Sequence, residues 1–323
     1  MKAISFELGG KTAFFKKPDV NVYAYFTYNN IHKPVLLGLL GAILGLKGHN
    51  QLFNELTSLR TRFKNSKKEI NKVSKAEKEL LTLKEGLKSY NIDDKKYKSI
   101  VKRINNSEKK LLSLKDEFEY ILNLEKELEY LENSYPEYYE KLNKLKISII
   151  PLSENGYFTK KIQVFNNSVG YASKEQGGNL IVKEQWLESP KWKIIILDDN
   201  SIEREIFDKL EDYLLNSKTV FIPYLGKNDH PAKIDKVEKV KLEKIEFNGK
   251  IDSLFINKNF LLNSFPPRNE IGFLFKEVSP IKLKEKYHFY EYETLAYTNY
   301  KMNINSDESL IIYSKDSKNY FFF

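Results

Sequence analysis

Ten side chains between Phe14 and Lys33 could do chemistry on a nucleic acid. Phe14, Phe15, Lys16, Lys17, Tyr23, Tyr25, Phe26, Tyr28, His32 and Lys33 interleave rings with cations in one loop. Bases stack on aromatic faces while ammonium groups neutralise phosphates. The competing reading makes Phe14, Phe26 and half the tyrosines core residues. Lys16 and Lys17 precede Pro18, which biases them toward extended backbone.

Catalytic sets are sparse. The four histidines are His32, His49, His230 and His288, and none forms a two-histidine metal spacing such as HExxH. No GxGxxG follows a strand, and there is no Walker loop or GxSxG. The chain has no cysteine, which excludes disulfides, thiolate metal sites and a cysteine nucleophile. Gly38, Gly41 and Gly45 lie in an apolar stretch and are expected to allow close packing on a sheet rather than to cradle phosphate. No metal, cofactor or catalytic residue is expected. The alternative is a metal-independent ribonuclease, which needs only a His or Lys and a Tyr near the scissile phosphate.

Three zones must position these groups. In the first, residues 1–50, Ile4, Phe6 and Leu8 alternate with Ala3, Ser5 and Glu7, predicting a strand with one strongly apolar face. Pro34 suits the first turn of a helix whose buried face is Leu36, Leu37, Leu40, Ile43 and Leu44, with Gly48 expected to close it. In the second, residues 51–146, apolar residues recur at three- and four-residue steps in two runs. One goes from Leu52 to Leu87 and the other from Tyr97 to Tyr135. Tyr90–Asp94 lies between them as a turn. This predicts an antiparallel coiled-coil hairpin with arms of about 60 Å. Its tip half is rich in Lys and Arg, and its returning base is acidic.

The third zone returns to short strands. Ile147–Ile150, Lys161–Phe165, Lys193–Leu197 and Thr219–Ile222 read as strands, and Asp198–Ser201 as the cap of a helix burying Ile202, Ile206, Leu210 and Leu214. Asn166–Asn179, with Gly177 and Gly178, reads as an excursion from the sheet. The order predicts an α+β chain with a ferredoxin-like (RRM-like) core split between residues 1–50 and 147–235. Residues 236–323 form a small β-rich extension.

The net charge of +9 and pI near 9.1 fit a polyanionic partner. The longest apolar stretch, Val35–Leu46, is twelve residues and too short to span a membrane. The opening residues do not read as a signal peptide. The expectation is a cytoplasmic protein with no membrane partner.

Two motifs resemble a known family. Ala13-Phe14-Phe15-Lys16-Lys17-Pro18, with Pro34 leading into Leu37-Gly38-Leu39-Leu40-Gly41-Ala42-Ile43-Leu44-Gly45-Leu46, resembles the opening of the CRISPR-associated Cas five family. Thr219-Val220-Phe221-Ile222-Pro223-Tyr224-Leu225-Gly226, followed by His230-Pro231-Ala232, resembles its second motif. The resemblance is nearest the type I-B branch and covers about residues 1–50 and 147–270. It implies a non-catalytic subunit at the foot of a Cascade surveillance complex in antiviral defence. Such a subunit holds the 5′ handle of the crRNA and contacts the backbone and large subunits, and through them, indirectly, target DNA. The RNA contacts expected on this basis are Lys11, Phe15, Lys16, Lys17, Asn21, Tyr25, Tyr28, His32 and Lys33. In the type I-C branch the corresponding protein cuts repeat RNA itself; His32, Lys33 and Tyr28 are the nearest candidates for that role here. Two departures stand out. Lys16 and Lys17 replace the family's usual Arg, keeping charge but losing the bidentate fork. The long hairpin lies outside the family pattern.

Overall fold

The computed structural model describes residues 1–19, 24–88, 95–167, 174, 180–247, 249–266, 269–284, 287–305 and 309–323. The chain is α+β, with several small antiparallel sheets. Its helices are α1 (Lys33–Leu44), α2 (His49–Leu87), α3 (Lys95–Asn133), α4 (Glu137–Leu142) and α5 (Arg204–Leu215). The strands are β1 (Lys2–Gly9), β2 (Thr12–Ala13), β3 (Ile147–Pro151), β4 (Lys160–Asn167), β5 (Leu180–Glu188), β6 (Lys191–Asp198) and β7 (Lys233–Lys241). They continue with β8 (Glu243–Lys244), β9 (Phe255–Ile256), β10 (Phe260–Ser264), β11 (Leu274–Leu283), β12 (Tyr290–Thr298), β13 (Lys301–Ile304), β14 (Ile311–Lys315) and β15 (Lys318–Phe322). Two compact units result. The first contains Met1–Gly48, Pro136–Lys284 and His288–Phe323; the second contains His49–Tyr135 and Tyr287.

The first unit is built on a sheet of order β3-β6-β1-β7, antiparallel throughout. β1 is central, and its alternation sets the register: Ile4 opposes Ile196 and Phe6 opposes Ile194. Ile4, Phe6 and Leu8 have no exposed surface. The expected polar face is buried too, at Ala3 and Ser5. Ala3, Ile195, Leu197 and Val240 on that face are covered by Tyr320 and Phe322 of β15, so the C-terminal strands finish the core. At its end Glu7 reaches solvent between Lys191 and Lys236. The crossovers between sheet strands run through α1 and α5, which pack on one another.

Three expectations change here. Gly45, not Gly48, closes α1, at φ 79 in the left-handed region. The glycine face of α1 packs on a helix rather than a sheet: a methyl group on Gly41 would lie 2.5 Å from Tyr138 Cβ in α4. Thr219–Ile222 is not a strand, because its N–H groups are committed to the end of α1. Val220 N–H donates to Ile43 O at 3.0 Å and Phe221 N–H to Ala42 O at 3.1 Å. Leu46 N–H takes Gly41 O, and Lys209 Nζ takes Leu44 O. Every carbonyl orphaned at that helix end thus has a donor. The sheet strand after α5 is β7 instead. The helix α5 begins at Arg204, two residues beyond the expected Ile202, since Asp199 Oδ1 accepts from Ser201 N–H and forms a tight turn before it.

The second unit pairs α2 with α3. Leu52, Leu59, Val73 and Leu80 of α2, with Ile104, Leu114, Ile121 and Leu124 of α3, form its buried seam. Arg60 meets Glu132 at 2.8 Å, and Lys84 meets Glu108 at 2.7 Å. One pair joins the first turns of α2 to the last of α3, and the other does the reverse, so the helices run antiparallel in constant register. Such exposed pairs add little stability but fix alignment. The expected turn at Tyr90–Asp94 lies outside the described residues, as does most of the Asn166–Asn179 excursion.

Candidate nucleic-acid interface

The described parts of the loop from Lys11 to Lys33 pair with one another and dock on β5. Lys17 N–H donates to Phe26 O at 2.8 Å and Tyr28 N–H to Phe15 O at 2.9 Å, a short antiparallel pairing. Tyr25 N–H donates to Lys183 O, and Tyr25 O accepts from Gln185 N–H. The far end is held by two amides. Asn29 Nδ2 and Asn30 Nδ2 both donate to Gly156 O, and Asn30 Oδ1 accepts from the Trp192 indole at 2.9 Å.

This framework sorts the expected contacts. Lys11 and Lys16 are exposed. Lys16 Nζ sits 4.0 Å from the centre of the Tyr25 ring, a cation–π contact that leaves both groups at the surface. Lys17 is half-buried and pairs with Glu277 at 3.2 Å. Phe15, Tyr28 and His32 are buried, at 1%, 3% and 2% exposure, and their rings pack against protein neighbours. Phe15 lies against Trp192, and His32 lies edge-on to Tyr28 and Tyr290. Burial lowers the His32 imidazole to about 3, and it is neutral at physiological pH. Burial also raises the Tyr28 phenol, which hydrogen-bonds Tyr292. Lys33 points inward to Phe323 O at 3.0 Å; burial, with Lys146 nearby, lowers its ammonium to about 8. Asn21 lies outside the described residues.

The surface beside Lys16 and Tyr25 gains members that the loop alone does not reveal. Phe165 and Trp186 share a face of the β4–β5 hairpin, 6.2 Å apart. Glu184 is buried between the Trp186 indole, at 2.9 Å, and Lys227 Nζ, at 3.1 Å. Lys227 is one-third exposed and lies 5.7 Å over Phe14 and 5.4 Å over Phe165. The result is a ring-and-cation surface running from Lys16 through Tyr25 to Lys227. The two-residue alternation along β4 and β5 was the available signal for Phe165 and Trp186.

Beneath it the two sequence motifs meet. Phe14 N–H donates to Leu225 O at 3.1 Å. Thr12 Oγ1 and His230 Nδ1 are hydrogen-bonded at 2.7 Å. Gly226, at φ 90, lets the loop pass so close that a methyl group there would lie 1.9 Å from Phe14 O. His230 is fully buried beside Trp186, and burial lowers its pKa. Among the described residues no cluster of His, Asp and Glu could hold a metal ion, and no helix is long and apolar enough to cross a membrane.

No family profile and no curated protein matches the chain. Solved structures resemble it weakly, among them two that match over most of its length. One is described as a crystal structure of a CRISPR protein from Archaeoglobus fulgidus, with 9% identity, TM-score 0.39 and coverage of 99% of this chain and 98% of that one. The other is described as a CRISPR RNA-guided surveillance complex, with 8% identity, TM-score 0.40 and coverage of 94% and 91%.

Proposed function

We propose that this chain is a non-catalytic RNA-binding subunit of a CRISPR Cascade surveillance complex. It holds the 5′ handle of the crRNA and contacts the backbone and large subunits. One observation carries the reading: the two family-like motifs, distant in sequence, are hydrogen-bonded into one structure at Phe14–Leu225, Val220–Ile43 and Phe221–Ala42. Their shared surface displays Lys16, Tyr25 and Lys227. Rings and ammonium groups side by side suit single-stranded RNA, where bases are free to stack.

The strand order β3-β6-β1-β7, with crossovers through α1 and α5, supports a ferredoxin-like core. The paired helices α2 and α3 support a coiled-coil hairpin inserted into it. The core's last strand extends to Lys241, so the C-terminal β-rich part starts after it. The burial of His32 and the inward turn of Lys33 support the non-catalytic reading, because a general acid or base must reach the scissile phosphate.

The test is fluorescence anisotropy with a repeat-derived 5′-handle RNA. Binding is expected to weaken with salt. In the Lys11→Ala, Lys16→Ala double variant, whose side chains are exposed, the slope of log affinity against log salt falls by about 1.4. Parental affinity and slope in that variant would overturn the assigned surface. Incubation of the protein with repeat RNA in EDTA should leave the RNA intact; cleavage within the repeat would establish the ribonuclease alternative.

A further inference from the structure

We propose that Lys17, Lys160 and Tyr157 form a nucleotide subsite, with the two ammonium groups on one phosphodiester of single-stranded RNA and the Tyr157 ring under the neighbouring base. The assignment rests on the RNA-binding reading and adds a site on the turn before β4.

The turn is fixed in advance. Gly156 O accepts from both Asn29 Nδ2, at 2.8 Å, and Asn30 Nδ2, at 3.1 Å. Phe158 N–H donates to Asn29 Oδ1 at 3.1 Å, and the Phe158 ring is buried against Trp192. Between these anchors Tyr157 faces outward, 49% exposed. An aromatic face held in place by its neighbours loses little freedom when a base stacks on it.

The charge beside it is unbalanced. Lys17 and Lys160 share the neighbourhood of a single carboxylate, Glu277. That carboxylate is already occupied. It pairs with Lys17 at 3.2 Å and accepts the Asn29 N–H at 3.1 and 2.9 Å on its two oxygens. Lys160 makes no ion pair or hydrogen bond through its ammonium among the described residues. Burial lowers the Lys160 ammonium from its ordinary value, Glu277 opposes this, and Lys17 adds to it. A second anion between the two lysines would relieve both costs. Lys160 Nζ lies 5.6 Å from the Tyr157 ring centre, so a base on the ring and its phosphate on the ammonium can be held together. A bare anion would use the lysines but not the exposed ring; a nucleotide uses all three.

The full chain is titrated against fluorescent single-stranded handle RNA across a salt series. Lys160→Met keeps the apolar stem and should lower the salt slope by about 0.7, the value for one phosphate on a single strand. Tyr157→Ala should weaken binding about tenfold with the slope unchanged, and Tyr157→Phe should bind as the parent does. Parental affinity and slope in both Lys160→Met and Tyr157→Ala, with binding still weakened by Lys11→Ala and Lys16→Ala, would overturn the subsite and leave the RNA-binding role standing. A parent chain that does not bind the RNA would overturn both.

Discussion

The backbone N–H of Phe14 donates to the carbonyl oxygen of Leu225 at 3.1 Å, tying the first loop of the chain to the segment that follows α5. Gly226 makes that approach possible. Gly226→Ala forces a side chain into a φ of 90 and against Phe14 O. The cost should be about 2–4 kcal/mol, read as a lower midpoint in urea with an unchanged m-value.

The buried carboxylate of Glu184 depends on Lys227 for its countercharge. Lys227→Met should destabilise the fold by about 1–3 kcal/mol, because the buried carboxylate loses its ammonium partner and keeps, among the described residues, the Trp186 indole as its hydrogen-bond donor. Adding Glu184→Gln should recover part of that loss. A double-mutant cycle in urea measures the coupling, and strict additivity would refute the pairing.

His32 predicts an acid-dependent stability. Its folded pKa is about 3 against an ordinary 6.5, so the unfolded chain binds the extra proton. The contribution is complete above 6.5 and is lost as pH falls toward 3, at about 1.4 kcal/mol per pH unit within that window. Replacing the ring in His32→Phe should flatten the stability profile there by one proton. Equal slopes for parent and variant would show that the ring is protonated in the fold.

Replacing residues 49–135 by a short Gly/Ser link should leave the first unit folded, because its ends are already joined. Tyr138 N–H donates to Lys47 O at 3.2 Å, and Lys47 N–H donates to Glu137 Oε2 at 2.9 Å. The thermal midpoint of the remaining unit should stay within roughly 5 °C, measured by near-ultraviolet circular dichroism. Loss of a cooperative transition would show that the helical pair is needed for folding.

Much of the fold was legible where a single periodicity decides it. The alternation of Ile4, Phe6 and Leu8 and the spacing of Leu52, Leu59, Val73 and Leu80 at multiples of seven specify a strand and a helical seam. Thr219–Ile222 was misread because a β-rich tetrapeptide looks the same whether its N–H groups serve a sheet or a helix end; the partner at Ala42 and Ile43 decides. Ala3 is buried because Tyr320 and Phe322, from the far end of the chain, cover that face, which no local pattern states. In the candidate site, Lys16 and Tyr25 remain at the surface, whereas Phe15, Tyr28 and His32 turn inward. An aromatic residue near a lysine reads alike in core and interface until packing assigns its faces. Lys160, Trp186 and Lys227 join the site only through strand pairing and loop docking.

The junction at Lys47, Glu137 and Tyr138 also bears on the order in which the chain folds. The first strand and helix must wait for β3 across the whole helical pair. If that stretch were slack, closing it would cost about 4 kcal/mol in chain entropy. Antiparallel helices that pair along their length bring their outer ends together on their own, so the pair would work as a splint during assembly. A proline placed in the middle of α2 should therefore slow refolding of the sheet, seen by stopped-flow tryptophan fluorescence, while leaving its unfolding rate unchanged.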